Sequence, residues 1–244
     1  MSGHSKWATI KRKKEKTDAA RGRTFSKLIK EITIAARIGG AENPRLRTAI
    51  DAAKAANMPA NNIDRAIKKG TGELPGVTYE EITYEAYGPG GTALLIEILT
   101  DNKNRTIGEV RHMLTKNGGN MGESGSVAWM FERKGIISIA SEGVDEDNLM
   151  MQALEGGAED VQLEDETFQI TTPPEELDAV RDALAAAEYT IESAEIELVP
   201  QTYIKVEGTQ ARQIIRIMEA LDDHDDVQRV WSNFDIDEDM LEEE

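Results

Sequence analysis

The chain has 244 residues, 39% of them apolar and 30% charged, and a formal charge of -18 at pH 7. That apolar share supports buried cores and excludes a wholly disordered polymer, while the absence of cysteine excludes disulfides and thiolate metal sites and suits a reducing compartment. No stretch approaches the roughly 20 apolar residues that span a bilayer; the most apolar run, TALLIEILT, contains Glu97 and reads as a buried strand.

Charge divides the chain. Residues 1–72 carry a net +11, residues 135–200 hold a single base, Arg181, and a net -17, and the remainder carries -12. Such asymmetry points to modules with different tasks. The opening stretch, MSGHSKWATIKRKKEKTDAARGRTFSKLIKEI, sets ten Lys or Arg between Lys6 and Lys30 against Glu15 and Asp18. No apolar run follows it, unlike a secretory signal. It favours Lys over Arg and leads directly into a patterned helix, which argues against a cleaved mitochondrial leader, so a cytoplasmic protein is expected. The polar composition of residues 2–22, with Gly22, suggests an arm that orders on contact.

The first helix is marked by Phe25, Leu28, Ile29, Ile32, Ala35 and Ala36 at helical spacing, with Arg23, Lys27, Lys30 and Arg37 on the opposite side. Gly39 and Gly40 end it. Asn43 and Pro44 read as the cap and first turn of a second helix with Leu46, Ala49, Ile50 and Ala53 inward. Pro59 interrupts that pattern, and a third helix carries Ile63, Ala66 and Ile67 before stopping at Gly70. GTGELPG (70–76) is the linker.

Beyond residue 79 the period changes. Strands are expected at 79–87, 92–100 and 126–132, with a helix at 104–117 marked by Ile107, Val110 and Leu114. Residues 135–199 read as strand, helix (145–155), strand, strand (FQIT), helix (Leu177, Val180, Leu184) and strand, the β-α-β-β-α-β order of the ferredoxin-like split unit. A strand (TYIKV), a helix (Ile214, Ile215, Met218, Leu221) and a strand (VQRVWSNFDI) follow, and with 92–132 they complete a second such unit. The acidic tail DIDEDMLEEE is expected to fray. The fold class is therefore α+β with three domains: an N-terminal three-helix domain (1–76), a discontinuous middle α/β domain (77–134 with 201–240) and an acidic ferredoxin-like domain (135–200) inserted into it.

Chemistry of catalysis is sparse. The histidines are His4, His112 and His224. DDHDD, around His224, offers carboxylates to a cation but lacks the alternating ligands and glycine of a calcium loop, and reads as a solvated helix–strand loop. YGPGGT (87–92) is a turn between antiparallel strands. GGNMGESG (118–125) follows a helix and precedes a strand, the reverse of a nucleotide fingerprint, and no GK[ST] accompanies it. It reads as a loop, with contact to a partner as its functional alternative. In TDNKNRT (100–106), Asp101 and Asn102 read as helix caps, and Lys103 and Arg105 as a secondary contact on a composite binding face. Neither catalytic residues, a metal site nor a cofactor is assigned, and no small-molecule substrate or membrane partner is evident.

The basic opening carries the strongest physical signal. Cations that neutralise phosphates release counterions and bind nucleic acid with steep salt dependence, and Trp7 can stack on a base. The alternatives are a solubilising tail, or one that pairs with the protein's own acidic surface.

SGHSKWATIKRKKEKTDAARGRTFSKLIKEI, NMPANNIDRAIKKGTG, YEAYGPGGTALLIEILTDNKNRTIGEVRH, KNGGNMGESGSVAWMF and LDDHDDVQRVWSNFDI together resemble the YebC/PmpR family, which includes the mitochondrial translational activator of cytochrome oxidase. The resemblance spans essentially the whole chain, with two small departures, Ala86 where glycine is commoner and the short GGAENPRLR between the first two helices. It implies three domains, no enzymatic activity, and either a transcriptional regulator that binds DNA or a ribosome-associated factor that helps translation through proline-rich stretches. Carried over by position, the nucleic-acid contacts are Lys6, Lys11, Arg12, Lys13, Lys14, Lys16, Arg21, Arg23 and Lys27. Trp7 and Lys30 join them from the charge pattern, and Arg65, Lys68 and Lys69 extend the patch. Duplex DNA and ribosomal RNA both remain open as the target, since no helix-turn-helix signature stands out.

Overall fold

The computed structural model describes residues 18–39, 43–164 and 166–236. The expectations for the basic arm up to residue 17 and for the acidic tail beyond 236 lie outside the described residues, whereas residues 18–22, expected to belong to the arm, are already helical because the amphipathic helix begins at Asp18. Seven α-helices, two four-stranded antiparallel sheets and one two-stranded parallel sheet are present among the described residues.

Helices α1 (Asp18–Gly39), α2 (Pro44–Ala55) and α3 (Ala60–Thr71) pack around Ile32, Ala35, Ala36, Leu46, Ala49, Ala53, Met58, Ile63 and Ala66. The Asn43 carboxamide accepts the Arg45 amide at 3.0 Å and donates to the Ala35 carbonyl at 2.9 Å, so the cap of α2 also ties it to α1. Helix α3 runs past Gly70 and ends at Gly72, whose φ of 84° is the left-handed cap. Gly70 has a packing role instead: a Cβ there would stand 2.3 Å from the Thr33 carbonyl oxygen, so only glycine lets α3 approach α1 so closely.

Strand β1 (Glu80–Tyr87) and strand β2 (Ala93–Thr100) form a hairpin paired from Glu80–Thr100 to Tyr87–Ala93. The predicted turn holds, with Gly90 and Gly91 both at positive φ. Helix α4 (Lys103–Lys116) follows, capped by Asn102, and leads to the short strand β3 (Asn120–Met121), which pairs with β1 at Ala86 and Tyr87. The expected strand at 126–132 is not formed: Ala128–Met130 is a 3-10 turn, and strand β4 (Phe131–Ala140) belongs to another sheet. The physical reason is Glu85, whose buried carboxylate takes the amides of Gly125, Val127 and Ala128 that a ladder would need.

From β4 the chain adds α5 (Glu146–Glu155), β5 (Asp160–Glu164), β6 (Thr167–Thr172), α6 (Leu177–Ala186) and β7 (Ile191–Pro200). The sheet order β5-β6-β4-β7, antiparallel throughout, is the ferredoxin-like arrangement expected from the pattern. Ile137, Ile139, Phe168 and Ile170 face Leu149, Val180 and Leu184 across one face.

The return adds β8 (Ile204–Lys205), α7 (Gly208–Asp222), β9 (Val227–Ser232) and β10 (Phe234–Asp235). The middle sheet is ordered β3-β1-β2-β9, with α4 and α7 packed on it through Val110, Leu114, Ile214, Ile217 and Leu221. One connectivity differs from expectation. Strand β1 occupies the place beside β2 that the returning strand at 202–206 was expected to fill, and β8 pairs in parallel with β10 instead. A local hairpin in full register claims that edge with little loop-closure cost. Leu94, Ile96 and Ile98 of β2 face α4 and α7, whereas Ala93 and Leu95 pack under Val127, Phe131 and Trp231. Burial on both faces explains the almost unbroken apolar run in that strand.

Candidate nucleic-acid interface

Lys6, Trp7, Lys11, Arg12, Lys13, Lys14 and Lys16 lie outside the described residues, as does the side chain of Arg21. Their role as nucleic-acid contacts rests on the charge pattern and the family resemblance.

Arg23, Lys27 and Lys30 stand at i, i+4 and i+7 of α1 and share one face. That face is covered by the acidic end of α7. Arg23 pairs with Asp223 at 2.9 Å; the Lys27 ammonium donates to the Asp222 carbonyl at 2.7 Å and lies 3.6 Å from its carboxylate. Lys30 donates to the Asp225 carbonyl at 2.7 Å and to the Asp226 carboxylate at 2.5 Å, and sits 5.9 Å above the Tyr79 ring. A helix C-terminus presents unsatisfied carbonyls and the negative end of its dipole, so cations settle there.

The DDHDD loop is accordingly only partly solvated: Asp223 and Asp225 are exposed, but Asp226 is buried. Asp226 is only 4% exposed and accepts from Lys30, Arg105 (2.6 Å), Thr106 (2.7 Å) and Thr100 (3.1 Å). Burial alone would raise its pKa, but the hydrogen bonds from Lys30, Arg105 and Thr106 prevail and hold the carboxyl well below the usual carboxylate range. Its amide donates to His224 Nδ1 at 3.1 Å, which places the His224 proton on Nε2, facing Glu109 at 2.9 Å. Glu109, His224 and Asp226 offer ligand atoms within 4.8 Å of one another. Those atoms already serve Lys30, Arg105, the Asp226 amide and each other, so the trio works as a bracket between α1, α4 and α7. Sequence reasoning missed it because a run of acids in a loop resembles a solvated surface.

Arg105 is exposed like Lys103 in the first turn of α4, but its guanidinium is engaged by Asp226 and by Asp101 at 3.0 Å. A second seam joins the helices to β1. Arg45 grips Glu31 at 2.6 and 3.0 Å and Glu81 at 2.9 and 3.2 Å, bidentate in both directions. On α3, Arg65 is exposed, Lys68 pairs with Asp64 at 2.8 Å and Lys69 is half-buried. Arg37 and Arg47 are exposed on α1 and α2.

A cavity of about 1240 Å³ opens where the helices meet both sheets, lined by Arg23, Lys27, Arg45, Glu97, Glu197 and Trp231 among others. The Trp231 indole donates to Glu197 at 2.5 Å. The GGNMGESG loop is fixed from below by Glu85. Burial favours its neutral form, yet the amides of Val127, Gly125 and Ala128 hold its pKa below the ordinary glutamate value. The 3-10 turn that follows this loop displays Trp129, 66% exposed, with its indole N–H on the Ser126 carbonyl at 3.1 Å. Among the described residues no helix is long and apolar enough to cross a membrane.

Sequence comparison agrees with this architecture. Residues 5–73 match the TACO1/YebC protein N-terminal domain, and residues 79–234 match the TACO1/YebC second and third domain. A probable transcriptional regulatory protein of Desulforapulum autotrophicum is 58% identical over 99% of both chains, and one of Geobacter sulfurreducens is 56% identical over the same shares. The crystal structure of a conserved hypothetical protein from Aquifex aeolicus superposes with a TM-score of 0.81 at 50% identity, covering 91% of this chain and 93% of that one. The chain belongs to the TACO1/YebC family.

Proposed function

We propose that the protein is a non-catalytic, cytoplasmic regulator of gene expression that binds DNA through its basic N-terminal domain. The observation that carries this reading is the partition of charge: +11 within residues 1–72, set against a net -29 for the rest of the chain. Phosphate neutralisation then concentrates on one module, while the acidic bulk opposes adhesion elsewhere along a polyanion. Residues 1–76 are the binding module, and 77–134 with 201–240 and the inserted 135–200 are the acidic ones. The contacts are Lys6, Lys11, Arg12, Lys13, Lys14, Lys16 and Arg21 in and beside the arm, with Arg65, Lys68 and Lys69 extending the patch. The naming of close relatives as probable transcriptional regulatory proteins supports the regulatory role.

A second reading, a translation factor on ribosomal RNA, is favoured by one observation. Arg23, Lys27 and Lys30 of α1 are held within the chain, so the arm is left as the main carrier. An arm with a single aromatic, Trp7, suits structured RNA as well as duplex DNA. Crosslinking in cells, with sequencing of the bound nucleic acid, together with ribosome co-sedimentation, separates the two. Enrichment of promoter DNA without ribosome association supports the first and removes the second. Ribosomal RNA crosslinks with salt-sensitive co-sedimentation do the reverse, and no recovered nucleic acid overturns both.

A further inference from the structure

The face of α1 that continues the basic arm is the same face that docks on the end of α7. The core of α1–α3 and the core of the middle sheet share no member. The polar contacts described across the seam are Arg23–Asp223, Lys27–Asp222, Lys30 with Asp225 and Asp226, and Arg45–Glu81. An interface of this composition is held chiefly by charge, and charge is what a nucleic-acid backbone also offers.

We propose that this seam is a latch, in which the carboxylates and carbonyls of Asp222 to Asp226 occupy α1 cations that phosphodiester groups take over when nucleic acid binds. The inference rests on the binding reading above and specifies how that site is regulated. A polyanion captured by the arm presents its next phosphates beside α1 at high effective concentration. Those phosphates compete for Arg23, Lys27 and Lys30 with acids that are fixed in place, and counterion release favours the polymer. Opening separates α1–α3 from α7 and frees these cations for the polymer. The apparent affinity of the closed chain is reduced in proportion to the fraction that is open.

The chain has no cysteine, so Ala55→Cys on α2 and Thr115→Cys on α4, both exposed, accept a pair of spin labels without background. Double electron–electron resonance then reads the seam with and without a short duplex DNA, and with an RNA hairpin of equal phosphate number. The expected result is one narrow distance in low salt that lengthens and broadens when nucleic acid saturates the arm. A shift with only one polymer supports the latch and names its target. In parallel, Asp222→Asn with Asp223→Asn should tighten binding on the order of three- to tenfold by releasing the closed state. The same charge change on α6, Asp178→Asn with Asp182→Asn, should tighten it less. An unchanged distance at saturation, or equal tightening by both double variants, overturns the latch while leaving binding intact. A wild-type chain that binds neither polymer overturns the binding reading itself, and the latch with it.

Discussion

Asp226→Ala is expected to lower the unfolding free energy by about 3–5 kcal/mol, the range for removing one partner of a buried charge pair. The carboxylate is buried and serves four donors from three elements: Lys30 of α1, Arg105 and Thr106 of α4, and Thr100 of β2. Truncation takes one acceptor from the Lys30 ammonium, 12% exposed, which keeps the Asp225 carbonyl, and from the Arg105 guanidinium and two hydroxyls. Asp226→Asn keeps the shape and one acceptor and should lose less. The pH dependence has a definite sign. The folded carboxyl titrates below its unfolded value, so its contribution is complete above about pH 4 and is lost as pH falls toward the folded pKa. Wild type should therefore lose stability more steeply below about pH 4 than Asp226→Asn does. Urea unfolding followed by tryptophan fluorescence across an acid series checks both points, and parallel curves for the two proteins would count against the bracket.

Glu85→Ala is expected to cost about 3 kcal/mol, since three backbone amides lose a charged acceptor at once. Gly125, Val127 and Ala128 donate to Glu85 at 2.5, 2.7 and 2.8 Å. Part of their donor capacity reaches water after truncation, which keeps the figure below the sum of three buried losses. Glu85→Gln turns an amide group toward those same N–H donors and should recover only a part. The consequence for the surface is specific. Trp129 is displayed by the 3-10 turn that follows the loop Glu85 anchors, so its acrylamide quenching should rise in Glu85→Ala even where the protein is still folded. Unaltered quenching and unaltered stability would show that the loop is organised by something other than this carboxylate.

What the sequence made legible follows from the range of the interactions involved. The apolar stripe of α1, the Asn43–Pro44 start of α2, the Gly90–Gly91 turn and the β-α-β-β-α-β order depend on residues within a few positions of each other, and pattern reading recovers them. The missing strand at 126–132 depends on Glu85, forty residues away, which takes amides that periodicity alone assigns to a ladder. Asp226 was unreadable for the same reason, because its partners Lys30 and Arg105 come from distant elements and a run of acids gives no sign of burial. Arg23, Lys27 and Lys30 were legible as a basic face but not as an occupied one. Of the two alternatives open for a basic opening, pairing with the chain's own acidic surface describes these three residues as they stand.

Binding through the basic arm is tested most directly by its salt dependence. Equilibrium binding of a labelled nucleic acid, followed by anisotropy at several salt concentrations, should be compared for wild type and for Lys11→Gln, Arg12→Gln, Lys13→Gln and Lys14→Gln combined. If these residues neutralise phosphates, log K against log salt becomes shallower by about 0.7–0.9 for each phosphate no longer neutralised, and affinity falls at every salt tested. A slope and affinity equal to wild type would place the binding surface elsewhere and contradict binding through the basic arm.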